Sequence, residues 1–120
     1  MATVMITSGS ITIEFGTWER IFTGRARHTI PLRAVRQAVT TDQPLRIPHG
    51  ARKGLTVSGH TKIGVWGIYG GPRQLVSANR NLPGVHLLLD RASSGGEFDE
   101  VVLSIPDADR FVEALRAEAA

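Results

Sequence analysis

The chain has 120 residues with 42% hydrophobic and 21% charged positions, a net charge of +3 and no cysteine. That length and balance fit one globular domain able to bury a core without staples, and exclude a disordered polyelectrolyte. Without cysteine there are no disulfides, no thiol catalysis and no cysteine-held metal.

The first elements in chain order read as strands. Residues 3–7 (TVMIT) form a short apolar run closed by a turn at Ser8-Gly9-Ser10. Ile11, Ile13 and Phe15 alternate with Thr12, Glu14 and Gly16, the period of two that marks a half-buried strand. The segment WERIF predicts a further strand, with Trp18 and Phe22 on one face and Ile21 on the other, broken at Thr23-Gly24. His28–Leu32 and Val35–Thr40 predict a third extended segment that Pro31 confines to an edge or bulge, with Ile30, Leu32 and Val35 in the core.

Residues 41–62 are divided by Pro44, Pro48, Gly50, Gly54 and Gly59, which predicts a long loop holding at most a strand fragment at Leu55-Thr56-Val57. From Ile63, glycines at 64, 67 and 70 disfavour a helix and suit a strand; unbulged, it puts Trp66 and Ile68 on one face and Val65 and Tyr69 on the other. Arg73–Ala78 and Val85–Asp90 predict two more strands, followed by a hairpin tip at Ala92–Gly96. Val101, Val102, Leu103 and Ile105 make a mostly buried last strand, stopped by Pro106. Asp107 then caps a helix whose Ala108, Phe111, Val112, Leu115 and Ala119 fall on one face. The sum is about seven strands with antiparallel neighbours and one closing helix, in a single domain over 1–120.

The succession GVWGIYGG, PRQLVSA, GVHLLLD, DEVVLSI, PDADRFVEAL resembles the bacterial pleckstrin-homology-like domains, above all their small stand-alone actinobacterial type, from about Ile11 to Leu115. Ile30-Pro31-Leu32 with Val35, and the glycines at 54, 64 and 67, match that pattern, while Pro106-Asp107 reverses the usual order of acid and proline. The resemblance implies a bent antiparallel β-barrel of seven strands closed by the helix, and it implies no enzyme activity. Related domains bind phosphoinositide headgroups, protein segments or small GTPases, and bacterial members assemble into oligomers.

Charge is unevenly distributed. Residues 17–53 carry seven arginines and one lysine against two acids, and residues 90–120 carry eight acids against three arginines. In one compact domain these segments are expected to neutralise each other. Arg25 and Arg27 in a turn, and Arg46, Arg52, Lys53 and Lys62 in the long loop, are the candidate anion-binding residues, for acidic lipid headgroups or phosphorylated ligands. Nucleic acid is disfavoured, because no aromatic residue lies between Phe22 and Trp66 to stack on a base.

Trp66 and Tyr69 are either core or an exposed docking patch; the leading expectation is a non-catalytic module that binds a protein partner, or itself as an oligomer, through strand edges and that patch. No cofactor is expected, since the glycines lack the spacing and strand-to-helix setting of a dinucleotide site. His28, His49, His60 and His86 form no ligand motif, and Ser8, Ser58 and Ser77 have no nucleophile-elbow setting. Asp90, Glu97, Asp99 and Glu100 read as a solvated acidic tip. Nothing at the start of the sequence signals secretion or membrane insertion, so a cytoplasmic protein is expected.

Overall fold

A computed structural model describes residues 2–7, 9–57, 59–92 and 97–119. Ser8 and Ser58, residues 93–96 of the hairpin tip and the side chain of Ala119 lie outside the described set. Nine strands form two sheets: β1 (Thr3–Thr7), β2 (Ser10–Glu14), β3 (Arg27–Pro31), β4 (Val35–Thr41), β5 (Arg52–Val57), β6 (Thr61–Trp66), β7 (Gln74–Asn79), β8 (Gly84–Leu89) and β9 (Glu100–Ser104). Helix α1 (Thr17–Thr23) joins β2 to β3, and α2 (Ala108–Ala119) follows β9. The first three strands make an antiparallel sheet in the order β1-β2-β3, and the other six are ordered β4-β8-β9-β7-β6-β5.

The sheets are not closed into a barrel. They pack face to face around Ile11, Ile13 and Ile30 of the small sheet, Phe15 just after β2, and Leu75, Leu87, Val101 and Leu103 of the large sheet, all at most 2% exposed. The two helices lie on the same face of the large sheet, α1 against β5, β6 and β7 and α2 against β4 and β8. On α2, Ala108, Phe111, Val112 and Leu115 enter this core as their spacing predicts. The Phe111 N–H donates to the Asp107 carbonyl at 3.0 Å, which starts the helix at the expected cap. A smaller cluster of Trp66, Val76, Ala78 and Val102 occupies the other face of the large sheet, covered by Leu45 and Ile47.

Four expectations are corrected. WERIF is helical: Glu19 Oε1 accepts the Gly16 N–H at 3.0 Å at one end, and Gly24 adopts φ +75 at the other. The spacing of Trp18, Ile21 and Phe22 is i, i+3, i+4, which serves a helix as well as alternation serves a strand. Residues 42–51 are irregular as expected apart from a 3-10 turn, but the second half of the long loop is a hairpin, β5 with β6, in which the glycines make the pairing possible. Gly54 lies opposite Gly64, and a Cβ on Gly64 would stand 2.4 Å from the Lys53 carbonyl oxygen and 2.7 Å from the Gly54 Cα.

The third extended segment is two strands in different sheets, separated by a 3-10 turn at Leu32–Ala34. Ile30 is fully buried there, while Leu32 and Val35 are only partly so. The neighbours are not all antiparallel either: β9 pairs β8 antiparallel on one side and β7 parallel on the other. Val101, Val102 and Leu103 are consequently 0% exposed, as expected for a strand covered on both faces.

Candidate functional site

Each sheet has two edges, and three of the four carry features that discourage further pairing. β3 has Arg27 and Pro31, β4 has Arg36 and a bulge between Val35 and Gln37, and β5 has Arg52 and Lys53. β4 is also crossed by α2, whose Arg116 Nη2 donates to the Ala38 carbonyl at 2.9 Å. β1 has none of these devices. Its five residues carry no charge, no proline and no bulge, and their register with β2 is unbroken.

Beside β1 runs an apolar groove of about 580 Å³. Ala2, Val4 and Ile6 form its β1 wall, Phe111 and Ala114 form the α2 wall, and Ile105 lies between them. Val4 and Ile6 remain only partly buried, and they pack against the main core from this open side. The charged groups at the groove are Asp107, just before α2, and Arg110 on it. A five-residue strand is about 17 Å long, and Ala2, Val4 and Ile6 line the groove at alternate positions along it.

The six candidate cations do not converge. Arg25 Nη1 lies 2.9 Å from Glu97 Oε2, its guanidinium carbon stands 5.0 Å from the centre of the Phe98 ring, and it donates to His28 Nδ1 at 3.2 Å. It is a structural clamp, joining the basic and acidic segments as the charge distribution predicts. Arg27 pairs with Glu14 at 3.0 Å on the exposed surface. Arg52 and Lys53 are adjacent on β5 and so point to opposite faces; Arg52, opposite Trp66, shares the Trp66 face with Lys62 but stands four positions away along the β5–β6 pair. Arg46 sits apart, on a 3-10 turn at Pro44–Arg46, in a pocket of about 310 Å³ that it lines together with Arg80.

Trp66 and Tyr69 do not form a patch. Trp66 is 4% exposed in the minor cluster and Tyr69 is 89% exposed. Strand β6 ends at Trp66 because Gly67 turns the chain at φ +74, and Ile68 then packs on the main core rather than beside Trp66. After Tyr69, the most exposed large apolar side chains among the described residues are Trp18 (71%) and Ile21 (64%) on α1, which a strand reading of WERIF places on opposite faces.

The acidic residues are not a free tip: Asp99 Oδ2 lies 2.6 Å from Arg91 Nη2 and accepts the Arg73 N–H at 2.9 Å, and Glu100 Oε1 lies 2.5 Å from His86 Nε2. Gln74, at 0% exposure, extends that last pair by donating to Glu100 at 3.4 Å and to the Ile47 carbonyl at 3.3 Å, while its Oε1 accepts the His49 N–H at 3.0 Å. This network anchors the segment that covers Trp66.

His28 is 9% exposed, edge-on to Phe98 with ring centres 5.2 Å apart. Burial holds its imidazole below the usual 6.5, the Arg25 charge pushes the same way, and Glu97 opposes them. Among the described residues no group of three or more His, Asp or Glu is placed to hold a metal ion, and no helix is long and apolar enough to cross a membrane.

No protein-family model, no curated protein and no solved structure matches the chain. The pleckstrin-homology-like resemblance therefore rests on the residue pattern alone. The residues missed in the sequence are Val4, Ile6 and Arg80. The one available signal was negative: TVMIT lacks the charges and proline found in the strands at the other three edges.

Proposed function

We propose that the chain is a non-catalytic interaction domain that captures an extended segment of a partner protein along the free edge of β1. The observation that carries this reading is the conjunction of the one unprotected sheet edge with an apolar groove beside it. Backbone amides and carbonyls of β1 would supply affinity in the manner of β-strand addition, and the groove would select side chains at alternate positions. The fitting partner is uncharged over about five residues and apolar or β-branched at every second one. Asp107 and Arg110 would orient charges flanking that stretch.

Panning a random displayed peptide library on the protein tests this. Selected peptides should show the alternating pattern and perturb the backbone amide resonances of residues 3–7 and 105–114. Ala114→Arg, an exposed change on the groove wall, should weaken them about tenfold or more while moving stability by less than about 0.5 kcal/mol. Light scattering in parallel reveals whether a second copy is the occupant, as a dimer that Ala114→Arg dissociates. Binders that perturb other surfaces and are indifferent to Ala114→Arg would overturn the proposal.

A further inference from the structure

The pocket shared by Arg46 and Arg80 is independent of the β1 groove. It lies where the turn Pro44–Arg46 meets the β7–β8 connection, with Asn79 and Asn81 on its wall and Asp42 its one acid. Arg25, Arg27 and Arg91 are engaged by Glu97, Glu14 and Asp99. Among the described residues no ion pair engages Arg46 or Arg80, and both are exposed. Two unpaired guanidiniums in one recess leave the pocket positive even with Asp42 present, and the planar forks of arginine suit phosphate oxygens.

The backbone beneath both arginines is fixed. Gln43 N–H donates to Thr41 Oγ1 at 3.1 Å, Pro44 is buried against Gly84, and Leu45 packs on the minor core. A Cβ on Gly84 would stand 2.7 Å from the Pro44 Cβ, so the turn sits tightly on β8. On the other wall Arg80 N–H donates to the His60 carbonyl at 2.7 Å, and Thr61 Oγ1 donates to Asn79 Oδ1 at 3.1 Å. Asn81, at φ +69, is the one non-glycine with a positive φ among the described residues, a conformation that places Leu82 back on the pocket wall. Both arginines thus project from a fixed backbone beside one recess, which lowers the backbone ordering cost of binding.

We infer that Arg46 and Arg80 together bind a phosphate monoester group. At about 310 Å³ the recess admits a phosphorylated headgroup or side chain and is small for a larger ligand. Asp42 opposes the bound charge and sets a moderate affinity. The site lies apart from β1, so occupancy here and strand capture there can be tested separately.

Titration with inorganic phosphate and phenyl phosphate at low ionic strength, followed by amide resonances, is the test. Saturable shifts confined to residues 41–46 and 79–82 are expected. Arg46→Gln and Arg80→Gln should each weaken binding about tenfold, and Asp42→Asn should strengthen it. Arg33→Gln removes the same charge from an exposed residue that does not line the pocket, and should leave affinity within about twofold. Equal weakening by all three arginine variants would reduce the effect to net charge and overturn the inference, as would the absence of saturable shifts. Vesicles of phosphatidylcholine with and without phosphatidylinositol 4-phosphate identify the source. Retention only on the phosphorylated vesicles, lost in Arg46→Gln, assigns a lipid headgroup; phosphate shifts without retention assign a soluble phosphorylated ligand.

Discussion

Glu19 of α1 and Ser77 of β7 are 58 positions apart and share a buried hydrogen bond, the serine hydroxyl donating to the carboxylate. The same carboxylate accepts the Gly16 N–H, so one side chain at 3% exposure both starts the helix and fastens it to the large sheet. Glu19→Ala removes both links and leaves the Gly16 N–H and the Ser77 hydroxyl without this acceptor. A loss of about 2 to 3 kcal/mol is expected in urea unfolding, with Glu19→Gln recovering part of it. An unchanged midpoint for Glu19→Ala would show that α1 is held by its apolar contacts alone.

Acid should loosen the corner around His28. Its Nδ1 can only accept from Arg25, because a guanidinium has no acceptor, and that bond requires an imidazole unprotonated at Nδ1. With the folded value below 6.5 and the unfolded one near it, the unfolded chain binds more protons in the window below 6.5. Stability is therefore at its full value above about 6.5 and falls as pH drops through the folded value. Urea midpoints of wild type and His28→Asn between pH 7.5 and 5 measure this. The wild type should lose more on acidification, and parallel curves would remove His28 as the cause.

The two sequence-nominated aromatics should behave oppositely. Trp66→Ala opens a cavity between Val76, Val102 and the segment holding Leu45 and Ile47, and should cost about 3 to 5 kcal/mol. Tyr69→Ala, at an exposed turn, should stay within about 0.5 kcal/mol. Acrylamide quenching reports the same division, since Trp18→Phe should remove the accessible emission and Trp66→Phe the protected one.

Gly64→Ala should destabilise by about 2 kcal/mol or more, because φ +144 disfavours a side chain and the added Cβ would strike the backbone of Lys53 and Gly54. Gly59→Ala meets nothing within 4 Å at its φ of +73, so it isolates the cost of backbone conformation from that of the clash. Equal effects at the two positions would show that β5 yields to accommodate the methyl.

The strands marked by local apolar alternation or an apolar run, β2, β8 and β9, were legible, as was the buried face of α2. The misread parts depended on information that no short window holds. A seven-residue helix with two glycine ends looks like a strand when its apolar residues are counted in pairs. β5 was hidden because RKGLTV is charged at one end and owes its pairing to a glycine ten positions away. The insertion of β9 between β8 and β7 is a tertiary choice, settled by which order buries Val101, Val102 and Leu103 on both faces. For the site, the cations were visible but their separation was not, since adjacent residues such as Arg52 and Lys53 diverge as soon as they lie in a strand. The β1 groove combines two ends of the sequence, and Arg80 looked like part of a polar turn until Arg46 was folded over to meet it.

The central position of β9 also sets an order of events in synthesis. Until residue 104 has left the ribosome, β4 with β8 and β5 with β6 and β7 can form only as two separate ribbons, each with an edge awaiting the same missing strand. Once β8 has emerged, the nascent chain thus carries two sticky partial sheets until the five residues of β9 join them in a single step.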